Sequence, residues 1–145
     1  MICLIQRVTQ GSVTIDGEMV ATISTGLVVL TGFQPGDNSE TIHKMTQKLL
    51  HYRVFADDND KMNLNVQQVS GGLLLVPQFT LAANTKSGLR PSFSSTATPE
   101  FASKLFDEFV EHAQSHYPLI QTGKFGADMQ VSLTNDGPVT FWLEV

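Results

Sequence analysis

An intramolecular disulfide is excluded at once, because the 145-residue chain holds one cysteine, Cys3, with nothing in the chain to pair with. Flanked by Ile2 and Leu4 in a run of strand character, this thiol reads as a small hydrophobe and not a nucleophile, and a reducing, cytoplasmic setting is expected. Basic charge is also scarce. Nine lysines and arginines stand against fourteen acidic residues, a net charge of −5. Broad adhesion to nucleic acid is therefore excluded, since non-specific affinity comes mostly from neutralising phosphates. A local contact is not excluded, and Lys86 and Arg90, close together in a polar stretch, could hold one or two phosphates. No apolar run approaches the roughly 18–20 residues of a membrane span. The start, "MICLIQRVTQ", meets an arginine and two glutamines within ten residues, so neither an anchor nor a secretion signal is expected. GxSxG, P-loop, GxGxxG and HExxH patterns are all missing, which leaves nucleotide-triphosphate, dinucleotide and zinc-protease chemistry without support.

What is present reads as one domain over residues 1–145. Residues 1–8 alternate weakly, and "SVTIDGEMVATIS" places Asp16-Gly17 between two β-rich runs, a strong hairpin signal. "GLVVLTGF" is a continuous apolar run of strand length, expected to be buried on both faces. "QPGDNSE" starts a helix, with Asp37 and Glu40 three apart; Ile42, Met45, Leu49 and Leu50 share one face, and the helix is expected to end near Tyr52. "VFADDNDKMNL" reads as a short strand and an acidic turn, and "GGLLLVPQFTL" as a long β-type run. Residues 84–98 read as a loop of about fifteen residues, a length usually functional or mobile. A second helix begins at Pro99 with Thr98 as its N-cap, carries Phe101, Leu105, Phe106, Phe109, Val110 and Ala113 as an apolar stripe, and stops before Pro118. Strands are expected around Leu119–Thr122, at "MQVSLT" and at "VTFWLEV". The class is α+β: a single domain with an antiparallel, barrel-like sheet and two main helices.

The usual catalytic groups give little. His112 and His116 are four apart on the second helix, but a zinc site needs a third ligand and none is evident, so solvated helix-end histidines are the expectation. A chelation-sensitive esterase built on this pair stays open as an alternative. His43 and His51 read as helix surface. "ADDND" lacks calcium-loop spacing and reads as an acidic hairpin turn.

Four mostly uncharged stretches remain: "PQFTL" at 77–81, "KSGLRPSF" at 86–93, "GADMQVSL" at 126–133 and "NDGPVT" at 135–140. The last is odd, because glycine and proline interrupt what otherwise alternates as a strand. Taken with "LIQRV", "SVTIDGE", "KMNLNVQQ" and "TGKFGADMQVSLTNDGPVTFWLEV", they make the whole sequence resemble the D-aminoacyl-tRNA deacylase family. That family's signatures are Ser-Gln-Phe-Thr-Leu and Asn-x-Gly-Pro-Val-Thr. Here Pro77 stands in place of the serine, while Gln78-Phe79-Thr80-Leu81 and Asn135–Thr140 are intact.

The resemblance implies hydrolysis of the ester joining a D-amino acid, or glycine mischarged on tRNA(Ala), to the terminal ribose of tRNA. It implies a proofreading homodimer in translation quality control, with active sites shared across subunits and no metal or cofactor. Gly137-Pro138 looks like the Gly-cisPro dipeptide that enters the partner's site and screens chirality. Arg7 looks like its brace, and Met129 like part of the amino-acid or adenine pocket. Phe79 and Thr80 N–H groups are the candidate oxyanion donors. Gln78 is expected to orient the substrate or water, and Thr80 to position the substrate and not attack it, since no sequence neighbour could activate its hydroxyl. Lys86 and Arg90 are candidate contacts to the tRNA 3′ end. A non-catalytic, β-rich homodimer binding a small ligand is the main alternative.

Overall fold

The computed structural model describes residues 1–145. Eight strands and two α-helices follow one another as β1 (Ile2–Ile15), β2 (Glu18–Ile23), β3 (Gly26–Gly32), α1 (Ser39–His51), β4 (Phe55–Ala56), β5 (Met62–Leu64), β6 (Gly72–Pro77), a 3-10 turn (Phe79–Ala82), α2 (Pro99–His116), β7 (Ile120–Thr122) and β8 (Gln130–Glu144). The chain is a single α+β domain whose strands curl into a nearly closed, barrel-like mixed sheet.

The hairpin forms where two positive φ values are tolerated. Asp16 and Gly17 have φ of 50° and 79°, the primed turn geometry that matches strand twist, and β1 and β2 pair antiparallel on either side. The first half of β1 pairs antiparallel with β3, its second half with β2, and its other edge with β8 along almost its whole length. The part not expected from sequence is parallel: β3 with β6, and β6 with β7. Parallel strands are covered on both faces, and β3 is, as its uninterrupted apolar run suggests. Leu27 and Val29 face the main core while Val28 faces a smaller one with Val8, Val13, Ala21, Ile23, Leu74 and Val76.

Both helices cover the main core. Thr98 Oγ1 accepts the Phe101 N–H and Pro99 opens α2, as expected. For α1 the cap is Asn38, which shares a capping box with Thr41; Asp37, one residue earlier, is diverted. Its Oδ1 lies 2.5 Å from the buried Met1 ammonium, and its Oδ2 accepts the Gln34 N–H at 2.7 Å. The acidic stretch is a hairpin turn between β4 and β5. Asp57 closes it by accepting N–H groups of Asn59 and Lys61, and these bonds, Lys61's first, hold its carboxyl below the usual carboxylate value. Cys3 is fully buried, and that burial pushes its thiol up to about 12, as an inert core residue requires. No helix is long and apolar enough to cross a membrane.

Candidate active site

The long β-type run stops earlier than its sequence suggests. β6 ends at Pro77, which has no N–H to continue a ladder. Gln78 makes one more bond, its N–H donating to the Thr31 carbonyl at 2.7 Å, and the chain then tightens into the 3-10 turn. The first i→i−3 bond of that turn runs from Leu81 N–H to Gln78 C=O. Phe79 and Thr80 therefore present N–H groups that have no partner inside the turn, as the first residues of any helix do. Both residues are exposed. The Thr80 hydroxyl accepts from Gln78 Nε2 at 2.5 Å.

One further predicted residue, Met129, lies at this end of β6. A Cβ on Gly123 would lie 2.7 Å from Met129 Sδ and 3.5 Å from Pro77 Cδ, so Met129 and Pro77 flank the same point. The 84–98 loop folds back onto the turn. Asn84 and Ser92 exchange backbone hydrogen bonds, and the exposed rings of Phe93 and Phe79 meet with centroids 5.2 Å apart. Lys86 and Arg90 sit on this loop, exposed and in no ion pair.

Gly137-Pro138 is elsewhere. The expected turn between two strands is not formed; β8 is one continuous strand with an excursion in it. Gln6 pairs with Thr140 and Val8 with Asn135, which leaves residues 136–139 without partners on β1. The excursion is exposed over Asp136, Gly137 and Pro138, and Val139 plugs it into the main core. The Gly137–Pro138 peptide bond is cis, and Gly137 has φ 138°, where only glycine is at ease. Arg7 holds the segment from β1: Nε donates to the Asp136 carbonyl at 3.0 Å and Nη1 to the Val54 carbonyl at 2.7 Å. The sequence reading overlooked Asn135, whose side chain is bonded to Val139 and Thr140. The available signal was its chemistry: an Asx side chain next to a breaker pair commonly binds nearby backbone.

Within one chain the two signature segments do not meet. Arg7 lies opposite Leu27 on β3, while Gln78 bonds Thr31 on the same strand. Four residues of strand correspond to about 13 Å, and β1 and β3 also stand between β8 and β6. The histidines form a cluster of their own, with His43 stacked on His112 at 4.0 Å and His112 4.4 Å from His116. Burial lowers the His112 pKa from its ordinary value, with His43 and then His116 adding to the effect. No group of three or more possible ligands is arranged to hold a metal. A cleft of about 580 Å³ is lined by Phe106, Val110, Phe125, Gly123 and Lys124 among others; it includes none of Gln78, Phe79, Thr80, Gly137 or Pro138.

Comparison with known proteins identifies the family. A family model described as D-Tyr-tRNA(Tyr) deacylase matches residues 4–144. A D-aminoacyl-tRNA deacylase of Hydrogenovibrio crunogenus is 64% identical over 148 residues, covering 99% of each chain. One of Haemophilus influenzae is 57% identical over 145 residues, covering all of both. Among solved structures, one described as c-Myc DNA Unwinding Element Binding Protein superposes with a TM-score of 0.96 at 38% identity, covering 100% of this chain and 99% of that one. A probable eukaryotic D-amino acid tRNA deacylase shares the fold, with a TM-score of 0.88 at 15% identity over 99% of this chain and 98% of that one. A model match over nearly the whole chain, joined by relatives of this identity and coverage, settles the assignment: the chain belongs to the D-Tyr-tRNA(Tyr) deacylase family.

Proposed function

We propose that residues 1–145 act as one D-aminoacyl-tRNA deacylase domain, hydrolysing the ester between a D-amino acid and the 3′-terminal ribose of tRNA. The observation that carries this reading is that both family signatures carry exposed backbone outside the ladder: a turn whose first two N–H groups have no partner within it, and a braced excursion. Such groups suit an ester whose carbonyl oxygen gains negative charge during reaction.

In the proposed reaction a water oxygen adds to the ester carbonyl carbon, and the carbonyl electron pair becomes an oxyanion held by the Phe79 and Thr80 N–H groups. The ribose 2′-hydroxyl relays the water proton to the 3′-oxygen as the C–O bond breaks, giving a free amino acid and a 3′-hydroxyl. Thr80 positions and does not attack. Its hydroxyl accepts from an amide NH₂, which cannot take a proton, so it lacks the base a nucleophile needs. Gln78 orients that hydroxyl and the substrate beside it. Met129 lines the pocket for the amino acid or adenine, and Lys86 and Arg90 meet the tRNA 3′ end.

Gly137 and Pro138 carbonyls, supplied by a second copy of the chain, receive the substrate's α-amino group and leave no room for an L-side chain, a selection by exclusion. The separation of the two segments within one chain supports this cross-subunit homodimer. The proposed setting is cytoplasmic, and glycyl-tRNA is a second substrate.

One assay tests the reading: D- and L-aminoacyl versions of a single tRNA with protein in substoichiometric amount. Release of the D-amino acid alone is expected. Equal release of both enantiomers, or protection of the ester, would overturn it. Protection is what a binding protein without catalysis would give, a second reading prompted by the neighbour described as a DNA-element binding protein.

A further inference from the structure

Asn135 stands where β8 leaves its register with β1. Its Oδ1 accepts the Val139 N–H at 2.6 Å, while its Nδ2 donates to the Val139 carbonyl at 3.2 Å and to Thr140 Oγ1 at 2.9 Å. One planar carboxamide thus joins the two ends of the excursion, accepting through its oxygen and donating through its NH₂.

The consequence lies in the peptide plane between Pro138 and Val139, which is trans, the sole cis bond being the one before it. In a trans plane the C=O points opposite to the N–H. Since the Val139 N–H points at Asn135 Oδ1, the Pro138 carbonyl points away from it. Arg7 does the equivalent on the other side, by holding the carbonyl of the Asp136–Gly137 plane. The dipeptide is therefore fastened before and after by different residues, and nothing else in the side-chain network touches its two flanking planes.

We propose that Asn135 is a positioning residue that aims the Pro138 carbonyl and thereby sets the preference for D- over L-aminoacyl esters; this rests on the functional reading above. Freed of Asn135, the plane can rotate and the carbonyl swings from its place. A misplacement of about 1 Å in a positioning group can cost on the order of a hundredfold in rate.

The test compares kcat/KM on D- and L-aminoacyl versions of one tRNA for wild type, Asn135→Ala, Asn135→Ser and Asn135→Asp, with thermal melting of each. In Asn135→Ala and Asn135→Ser the D-rate is expected to fall by roughly a hundredfold and the D:L ratio by at least about tenfold. Asn135→Asp keeps the acceptor for the Val139 N–H and should recover part of that ratio. A merely structural Asn135 would lower both rates together with the folded fraction and leave the ratio alone. A wild-type ratio in whichever of the Ala and Ser variants folds overturns the inference, as does failure of both to fold. Wild-type protein that leaves the D-ester intact is a separate failure, that of the functional reading itself.

Discussion

The Thr80 hydroxyl has an amide for a neighbour and no base, and this fixes what its removal should do. Thr80→Val keeps the backbone N–H and loses one neutral hydrogen bond, worth about 1 kcal/mol, so deacylation should slow by roughly five- to tenfold. Complete loss with intact fold, and a trapped acyl-enzyme in wild type, would make Thr80 the nucleophile instead. Arg7 is a sharper case because its two bonds serve different masters. Arg7→Ala releases both the Asp136 and Val54 carbonyls. Its stability cost, about 2 kcal/mol for the two hydrogen bonds, corresponds to a melting shift of about 4–8 °C, whereas kcat/KM on the D-ester should fall by at least about tenfold. Equal kinetics in Arg7→Ala and wild type would show that the brace does not matter. Gly137 differs from what its sequence context suggests: an added Cβ meets the chain's own Val139 Cγ2 at 2.7 Å and Arg7 Nη2 at 3.2 Å, so Gly137→Ala disturbs the brace before it meets any ligand.

Elements held together by near neighbours were readable in advance. The Asp16-Gly17 hairpin, the Thr98 cap and the acidic turn each depend on a few consecutive residues. β8 was only partly readable: its two strand stretches were, but the excursion at Asp136–Val139 that joins them depends on Arg7, on a strand far away in sequence and expected as the brace only from the family resemblance, together with the overlooked Asn135. The parallel pairing of β3 with β6 likewise joins strands that α1, β4 and β5 separate in sequence. The histidines show the same limit: helical spacing placed His112 beside His116, but only the packing of α1 on α2 adds His43. That packing has a pH consequence. Folded His112 takes a proton less readily than its ordinary value of 6.5, so the unfolded chain binds protons first as pH drops. Stability is complete above 6.5 and is lost as pH falls from there through the lower folded value. Thermal melting as a function of pH should show this slope, and His112→Gln should flatten it; an unchanged slope would place the titration elsewhere.

At the scale of the molecule, the proposed site needs the turn of one chain and the dipeptide of another, and subunit mixing tests this directly. Gly137→Ala and Thr80→Pro, the second lacking a donor N–H, should each be impaired as homodimers. In their heterodimer one site combines the intact turn with the intact dipeptide, and the other holds both lesions. Mixing the two after dissociation should therefore regain activity that neither parent has. Activity no greater than the average of the parents would place each site within one chain. The register of β1 carries a further implication, for the order in which the molecule can be made. Ile2 pairs with Glu144, and Thr14 with Gln130, so one whole edge of the first strand waits for the last strand. During synthesis β2 and β3 can dock on β1 early, but its other side stays an open template for pairing until residues 130–144 emerge, the condition under which strands capture wrong partners. Folding that depends on such distant pairing is slow, and the barrel cannot close until this last strand has docked along β1.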